Sequence, residues 1–470
     1  MKIFDIHNTD PVVSVEEIES HIAGTAVALE HLSSMMQMQS VLAQSSDITT
    51  TRIARIATSH IARQMDLSIP QISTESMETS LESIGSFIKS IWEAIKRTFK
   101  AIWDKITWIF RAHRSESSKR YERFKDDEDE IRRLRKRVKR LEQAYAAGAD
   151  VASTGTDAST TSNPSRPVGT RMSPISDVPG ESDDDVIPRS LILNDAVLRA
   201  GLGYIGPHIT PDAVIKAVDD LQTRSDRLMG LFTTFEGASD RLNDLLAEIF
   251  EDTSMHDSSV EISNQFKSAY QGIAVAGKVF ASWNIATRRF DEVRTADIPD
   301  AIRAQAPPDF YPTQHAWSGW RSRQTVYFIA SAPSTFSLRH PAAKIYISPL
   351  PTTVEDVDVS VIDPSTLLDT YFKDLLHLLK KSDRLETDAN AIAMRARSTF
   401  EKDIRICDGM VLDAAMRPDA KSGIERLRTV FLTATSILLG LEQIKGLYSD
   451  TIGIHVEYCA KCRQWYQDVN

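Results

Sequence analysis

Apolar residues recur at helical spacing along most of this chain, which predicts a mainly helical protein. Within the first 75 residues, one helical stripe runs from Ile18 to Met36, and a second helix is predicted over 48–65. Beyond residue 190, helical patterns cover five further stretches: 191–200, 211–250, 258–298, 365–410 and 422–468.

One region departs from this helical pattern. The segments 324–330, 334–339 and 343–350 are rich in β-branched and aromatic residues, and prolines bound them. They predict a small antiparallel β-sheet near 324–350 that is inserted into an α-rich body.

The most distinctive helix is predicted over 81–110, after a capping box formed by Thr79 and Glu82. Apolar and aromatic residues form one broad face of this helix, and basic residues dominate the opposite face. The apolar face consists of Leu81, Ile84, Ile88, Ile91, Trp92, Ile95, Phe99, Ile102, Trp103, Ile106, Ile109 and Phe110. Three uses of this face are open: packing in the protein's own core, insertion into a membrane surface, or docking on another protein. The last two are favoured, because the flanking segments tie this helix only weakly to the rest of the chain.

A polar break is predicted at 111–119, and a highly charged helix follows it. Phe124, Ile131 and Val138 stand seven residues apart, which predicts a short coiled coil. Its basic run, Arg132–Arg140, is typical of a charged coiled-coil surface. Contact with nucleic-acid phosphates, without base specificity, is the alternative use of this run.

Charge and composition divide the chain into four segments. Residues 1–75 carry a net charge of −5 and residues 76–147 a net charge of +6. Residues 148–189 are rich in Ser, Thr, Gly, Pro and Asp without an apolar period, which predicts a disordered linker. The predicted domains are therefore an acidic helical segment, a basic amphipathic helix with a coiled coil, this linker, and a helical body over 190–470. We expect the body to fold without residues 1–150.

The composition argues against several classes of protein. The 470 residues are 42% hydrophobic and 26% charged, as in ordinary soluble chains, and no apolar run approaches the ~18 residues of a spanning helix. Three cysteines exclude a disulfide scaffold, and the first residues lack the apolar segment of a secretory signal. A net charge of −10 argues against nucleic-acid binding by the whole chain.

Two patterns resemble small-ligand sites only in part. Gly201, Gly203 and Gly206 have the spacing of a dinucleotide-binding loop. A predicted helix precedes these glycines and prolines follow them, so a helix end and a loop are favoured. The sequence contains no nucleophile elbow, zinc-protease motif or phosphate-binding loop, so we expect a non-enzymatic protein without a cofactor or a small-molecule substrate.

A cysteine and histidine pattern is the second candidate. His455, Cys459 and Cys462 lie on one face of a predicted helix, because they are spaced by four and three residues. Cys407 would complete a zinc site with three cysteines and one histidine. Burial of the cysteines as small core residues is the favoured interpretation, so no metal is expected.

The stretch SMETSLESIGSFIKSIWEAIKRTFKAIWDKITWIF, residues 76–110, resembles the start of the mature chain in internal head proteins of giant tailed phages, the phiKZ-like or jumbo-phage group. Those proteins share a helical N-terminal piece, an amphipathic Ile/Trp/Lys stretch, and a helical body with a small β element. The resemblance covers residues 15–112, and the polar linker departs from the family pattern.

The resemblance also implies proteolytic maturation. In that family a prohead protease removes an N-terminal propeptide by cutting after a glutamate that has a small residue two positions before it. Ser73, Thr74 and Glu75 fit this pattern directly before Ser76, so residues 1–75 are expected to be a propeptide that shields the basic helix before assembly. The same pattern ends at seven other glutamates: Glu16, Glu30, Glu78, Glu82, Glu261, Glu425 and Glu442.

The function implied by the resemblance is that of a structural virion protein, made in the host cytoplasm and packed inside the capsid. Its expected partners are other internal head or capsid proteins, the prohead protease and, through Arg132–Arg140, packaged DNA. The residues expected to dock on a partner protein are Ile88, Ile91, Trp92, Ile95, Phe99, Ile102, Trp103 and Ile106. Two alternatives stay open: a membrane-active or effector protein acting through 81–110, and a cytosolic metalloenzyme built on the cysteines and histidine.

Overall fold

The computed structural model of the protein describes residues 15–44, 77–153, 190–193, 208–251, 315–318, 325–330, 343–347, 357–362, 366–412 and 420–468, with single positions between 52 and 60. These residues are mainly α-helical, as the apolar periodicity predicts. Within them, five long helices occur: α1 (Val15–Gln44), α2 (Met77–Ser153), α3 (Pro211–Glu251), α4 (Phe372–Leu412) and α5 (Ala420–Asp468). A π-helical turn, Leu367–Tyr371, leads directly into α4.

Helix α2 is continuous, and the polar break predicted at 111–119 is wrong. Between residues 86 and 147 the sequence contains neither glycine nor proline, so nothing there interrupts the helical backbone. Ser117, in the middle of the predicted break, is buried. The helix also continues to Ser153, into the first residues of the predicted linker. The rest of that linker, most of the predicted helix 48–65 and the predicted helix 258–298 lie outside the described residues.

The chain forms two compact units that cut across the predicted domains. Unit 1 comprises Met1–Ser117, Thr223–Pro351 and Ser382–Ser449, and unit 2 comprises Ser118–Gln222, Thr352–Lys381 and Asp450–Asn470. Helices α2 to α5 each contribute a segment to both units. The predicted boundaries at residues 75, 147 and 189 are therefore not boundaries of compact units, because segments far apart in sequence close the same core.

The core of unit 1 is aromatic. The ring of Phe99 on α2 lies edge-on to Phe400 of α4, with 4.9 Å between centroids, and edge-on to Phe431 of α5, at 4.6 Å. Further along α2, Phe110 packs against Phe232 of α3 at 6.2 Å. Four helices thus meet through aromatic contacts, which add specific geometry to the burial of apolar area.

Helix α1 packs antiparallel to α2 within unit 1. Near its start, Glu17 Oε1 accepts a hydrogen bond from Lys105 Nζ at 2.6 Å, and near its end the amide of Gln39 lies beside Gly85. Its buried face consists of Ile18, Ile22, Ala26, Ala28, Leu29, Leu32, Met35, Met36 and Leu42. The contact of the acidic segment with the basic helix is the one expected from their charges, and α1 is an integral part of the unit 1 core.

Six short strands form two three-stranded sheets among the described residues. In unit 2, β1 (Ser190–Leu193) pairs antiparallel and β2 (His208–Ile209) pairs parallel with β6 (Val357–Ser360). In unit 1, β3 (His315–Ser318), β4 (Thr325–Ala330) and β5 (Ala343–Ile347) form an antiparallel ladder. The predicted strand 334–339 lies outside the described residues.

The helix predicted over 191–200 is wrong at its start, where β1 pairs with β6. A short apolar run such as Leu191–Leu193 cannot be assigned to a helix or a strand by periodicity alone. Its backbone partners, near Asp358, lie more than 160 residues further along the chain, so only the tertiary structure selects the strand.

Gly440 of α5 marks the position where β5 approaches the helices of unit 1. A Cβ atom at Gly440 would overlap the side chain of Ile345, which is buried. We expect Gly440→Ala to destabilise the protein by about 1–2 kcal/mol, because the overpacking outweighs the ~1 kcal/mol that alanine adds in helix propensity. Gly446→Ala is the matched control on the same helix, since nothing lies within 4 Å of a Cβ atom there. Urea denaturation measures both, and equal stability of the two variants would contradict this contact.

Candidate functional site: a buried charged cluster in unit 1

The predicted docking residues lie in the core of unit 1. All eight of them, from Ile88 to Ile106, are at most 2% exposed. The indole N–H of Trp92 also donates a hydrogen bond to Asp408 Oδ1 at 2.5 Å, so even its polar edge is bound within the protein. The predicted docking face is therefore wrong for this fold. Residues of α4 and α5, which lie some 300 positions away in sequence, cover the face that the local sequence left without a partner.

The metal-ligand candidates are not assembled. Cys407 belongs to unit 1, whereas His455, Cys459 and Cys462 belong to unit 2. Across the part of the chain that the structure describes, no group of three or more His, Cys, Asp or Glu side chains could hold a metal ion. His455 Nδ1 lies 2.8 Å from the hydroxyl of Tyr371 in the core of unit 2. Burial raises the pKa of Cys462 to about 11 and also raises the pKa of Cys459, which disfavours the thiolate form that binds zinc.

The predicted coiled-coil helix packs inside unit 2. Phe124 and Ile131 are buried, and the ring of Phe124 stacks on Phe372 of α4 at 4.5 Å. In the basic run, Arg135 forms two contacts with the carboxylate of Asp369, at 2.9 and 2.5 Å. Phe124 and Ile131 therefore serve an intramolecular contact, and contact of the remaining exposed basic residues with DNA stays a prediction. The processing residues Ser73–Ser76 and the glycine loop 201–206 lie outside the described residues.

A cluster of charged side chains occupies the core of unit 1, and the sequence analysis missed it. Glu442 and Lys445 are three residues apart on α5, Glu386 lies on α4, and His113 lies on α2. We call these four residues the charged cluster. The available signal was the presence of a glutamate and a lysine within the apolar stretch LRTVFLTATSILLGLEQIKGL, where both lie among residues that face the core.

The four members of the charged cluster pair with one another. Lys445 Nζ donates a hydrogen bond to Glu386 Oε2, lies 3.0 Å from Glu442 Oε2, and sits 4.8 Å from the ring centroid of Phe110. The other oxygen of Glu442, Oε1, lies 2.5 Å from His113 Nδ1. The side chains of Lys445, Glu386 and Glu442 are at most 2% exposed, whereas that of His113 is 42% exposed. Only the histidine thus connects the charged cluster to solvent.

The pKa values of the two buried carboxyl groups shift in opposite directions. Burial raises the pKa of Glu386, and Lys445 offsets only part of that effect. Burial also acts to raise the pKa of Glu442, but Lys445 and the hydrogen bond from His113 outweigh it, so this pKa is lowered. The hydrogen bond to Glu442 raises the pKa of His113 against the opposing effect of burial. With His113 protonated and both carboxylates ionised, the four charges of the cluster balance.

The charged cluster can therefore hold charge in the core and exchange a proton with solvent through His113. Each of its charges is paired with another member, so the cluster can fix the positions of α2, α4 and α5 relative to one another.

Comparison with known proteins found no match to a family model, a curated protein or a solved structure. Among the described residues, one helix, Gly423–Tyr466 within α5, is long and apolar enough to cross a membrane by length and composition. Because 82% of its most apolar 18-residue stretch is buried in the protein, this helix has the character of a core helix.

Asp403 on α4 is a further buried carboxyl group of unit 1, outside the charged cluster, and burial raises its pKa to about 7 against the opposing effect of Lys402. This pKa exceeds the ordinary value of 3.8, so the stability that protonated Asp403 contributes is fully present below about pH 4 and is lost as the pH rises through 7. Between pH 5 and pH 8 the loss is on the order of 2–3 kcal/mol.

We expect Asp403→Asn to gain about 2–3 kcal/mol of stability over the wild type between pH 5 and pH 8, because the wild type loses stability as Asp403 ionises and asparagine stays neutral. Thermal unfolding at both pH values measures the difference. Asp388→Asn, a change at a partly exposed position on the same helix, serves as the control and should follow the wild type at both values. A variant difference that is the same at pH 5 and pH 8 would contradict the buried ionisation of Asp403.

Proposed function

We propose that this chain is a structural virion protein, an internal component of a phage head that is made as a precursor and matured by a prohead protease. The resemblance of residues 76–110 to phage internal head proteins motivates the proposal. The observation that carries it is the position of Glu75 relative to the helices. In this proposal the protein is not an enzyme, and its partners are other internal head or capsid proteins.

Of the eight glutamates that fit the protease pattern, two lie outside the described helices, Glu75 and Glu261. Six of the eight glutamates that fit the protease pattern lie inside helices, where cleavage requires local unfolding first. These six are Glu16, Glu30, Glu78, Glu82, Glu425 and Glu442. Glu75 precedes the first residue of α2 by two positions, so a cut after it separates α1 from α2 without breaking either helix.

The contacts of α1 define what this cleavage does. Glu17 binds Lys105 of α2, and Glu30 Oε2 accepts a hydrogen bond from Arg428 of α5 at 2.9 Å. The apolar face of α1 is buried as well. A cut after Glu75 removes the covalent link and leaves these contacts in place, so the released fragment stays bound until another surface displaces it. Removal of α1 would uncover apolar residues of unit 1, and we propose that neighbouring head proteins then cover them.

Mass spectrometry of purified virions tests this proposal. The expected result is presence of the protein with Ser76 as its N-terminus, and Glu75→Gln should abolish that terminus. Glu261→Gln is the matched control, because Glu261 also fits the protease pattern and also lies outside the described helices. Absence of the protein from virions would reject the location. A peptide spanning Thr74–Met77 at full abundance in mature particles would reject the cleavage.

We further propose that the ladder of β3, β4 and β5 is the small sheet inserted into the helical body. Its support is the antiparallel pairing of β4 with β5, in which Val326 lies opposite Ile347. The Gly440→Ala and Gly446→Ala pair reports whether β5 packs on α5 in solution.

A further inference from the structure

A small cavity lies among α2, α3, α4 and α5 in unit 1, and no role has been assigned to it. Its volume is about 20 Å³, and it is lined by Trp103, Ser239, Ala396, Thr399, Phe400, Asp403, Val430 and Ala434. Most of this lining is apolar. The polar side chains come from three different helices: Trp103 from α2, Ser239 from α3, and Thr399 and Asp403 from α4.

Three of these polar side chains carry a buried atom whose hydrogen-bonding capacity is not met by the described residues: Trp103 Nε1, Ser239 Oγ and Asp403 Oδ2. Trp103 and Asp403 are each only 2% exposed, so bulk solvent does not satisfy them. Native proteins rarely leave buried polar groups unpaired, and three such groups around one cavity point to a shared ligand.

The donors and acceptors define the chemistry of that ligand. The indole N–H of Trp103 is only a donor, which opposes a metal or ammonium cation in the cavity. The carboxyl group of Asp403 opposes an anion. A neutral molecule that both accepts and donates hydrogen bonds satisfies the indole, the carboxyl and the hydroxyl of Ser239 together.

The size of the cavity limits the ligand to a single water molecule. A buried water needs about 10–15 Å³ of free space and two to four polar partners. The cavity provides about 20 Å³ and three partners. An organic ligand would need a cavity many times larger.

We propose that this cavity binds one structural water, which accepts a hydrogen bond from Trp103 Nε1 and donates to Asp403 Oδ2 and Ser239 Oγ. The water joins α2, α3 and α4 through side chains that are more than 100 residues apart in sequence. This site is independent of the proposed function, because it lies wholly within unit 1 and involves no partner. Both protonation states of Asp403 leave an oxygen able to accept the hydrogen bond from the water.

Nuclear magnetic resonance of the full chain, labelled with ¹⁵N at tryptophan, tests the site. The indole N–H of Trp103, assigned with Trp103→Phe, is expected to exchange slowly with solvent and to show a cross-peak to a long-lived water. Trp108 is the internal control, since it is 41% exposed and should exchange fast. Asp403→Leu, which removes the acceptor and adds volume, should abolish the cross-peak. A slowly exchanging Trp103 indole without a water cross-peak in the folded wild type overturns the proposal.

A second measurement distinguishes water from a cation and keeps the test independent of folding defects. Replacing Na⁺ by K⁺ or NH₄⁺ at constant ionic strength should leave the melting temperature unchanged, whereas a shift specific to one cation would overturn the assignment to water. The double variant of Trp103→Phe and Ser239→Ala should lose less stability than the sum of the single variants, because both lose the same water. Additive losses would show that the two side chains do not share one ligand.

Discussion

Replacement of Ile91 by aspartate is expected to unfold unit 1. Ile91 is fully buried on the face of α2 that the sequence offered as a docking surface. An ionised carboxylate at this position would lie in an apolar core without a cation, which costs several kcal/mol after relaxation. Because a typical domain is stable by roughly 5–15 kcal/mol, this loss is a large part of the total. Circular dichroism melts and limited proteolysis measure the effect.

Trp108→Asp is the matched control for this prediction. Trp108 lies on the same helix, but its side chain is 41% exposed, so the substitution should change stability by less than about 1 kcal/mol. An Ile91→Asp protein that stays folded and only fails to enter phage heads would contradict the core assignment. That result would restore α2 as a docking element.

Lys445→Met is expected to destabilise unit 1 by about 3–5 kcal/mol, because it leaves Glu386 and Glu442 buried without their shared cation. Without Lys445 the pKa of Glu386 should rise further above its ordinary value, and the pKa of Glu442, which Lys445 helps to lower, should rise as well. The protonated groups then tolerate burial at low pH, so the loss should be smaller at pH 5 than at pH 8. Chemical denaturation at the two pH values measures this dependence.

Two further variants separate the loss of the ion pair from the loss of packing. The triple variant Lys445→Met, Glu386→Gln and Glu442→Gln should recover much of the stability, because it leaves no buried charge uncompensated. Lys461→Met, at a partly exposed position near the end of α5, should cost less than about 0.5 kcal/mol. Equal losses for Lys445→Met at pH 5 and pH 8 would show that charge is not the cause.

The helices themselves were predictable from the sequence. Periodicity predicted a helix over 211–250 where α3 spans Pro211–Glu251, and a helix over 422–468 where α5 spans Ala420–Asp468. These elements depend on local signals. At the start of α3, for example, the backbone N–H of Ala213 donates to Thr210 Oγ1 at 3.3 Å, as in a helix N-cap. The sequence likewise indicated which face of each helix is apolar, since 3.6-residue spacing is a local property.

The candidate sites could not be predicted in the same way. The pattern Glu442-x-x-Lys445 shows two charges in an apolar stretch, but their balance needs Glu386 from α4 and His113 from α2. The cavity beside Trp103 and Asp403 likewise depends on side chains from four helices, and no distinctive sequence motif marks them. Such sites arise from packing, which depends on contacts between residues hundreds of positions apart.

The sequence by itself determined that α2 has an apolar face that must be covered, and that the acidic segment 1–75 contains a helical stripe from Ile18 to Met36. Only the tertiary structure decided what covers that face. Phe99 meets Phe400 and Phe431, more than 300 residues away, so the protein's own core takes the place of the expected partner. The physical reason is that burial of apolar area is non-directional: periodicity shows that a surface must leave water, and the chain topology selects the surface against which it does so.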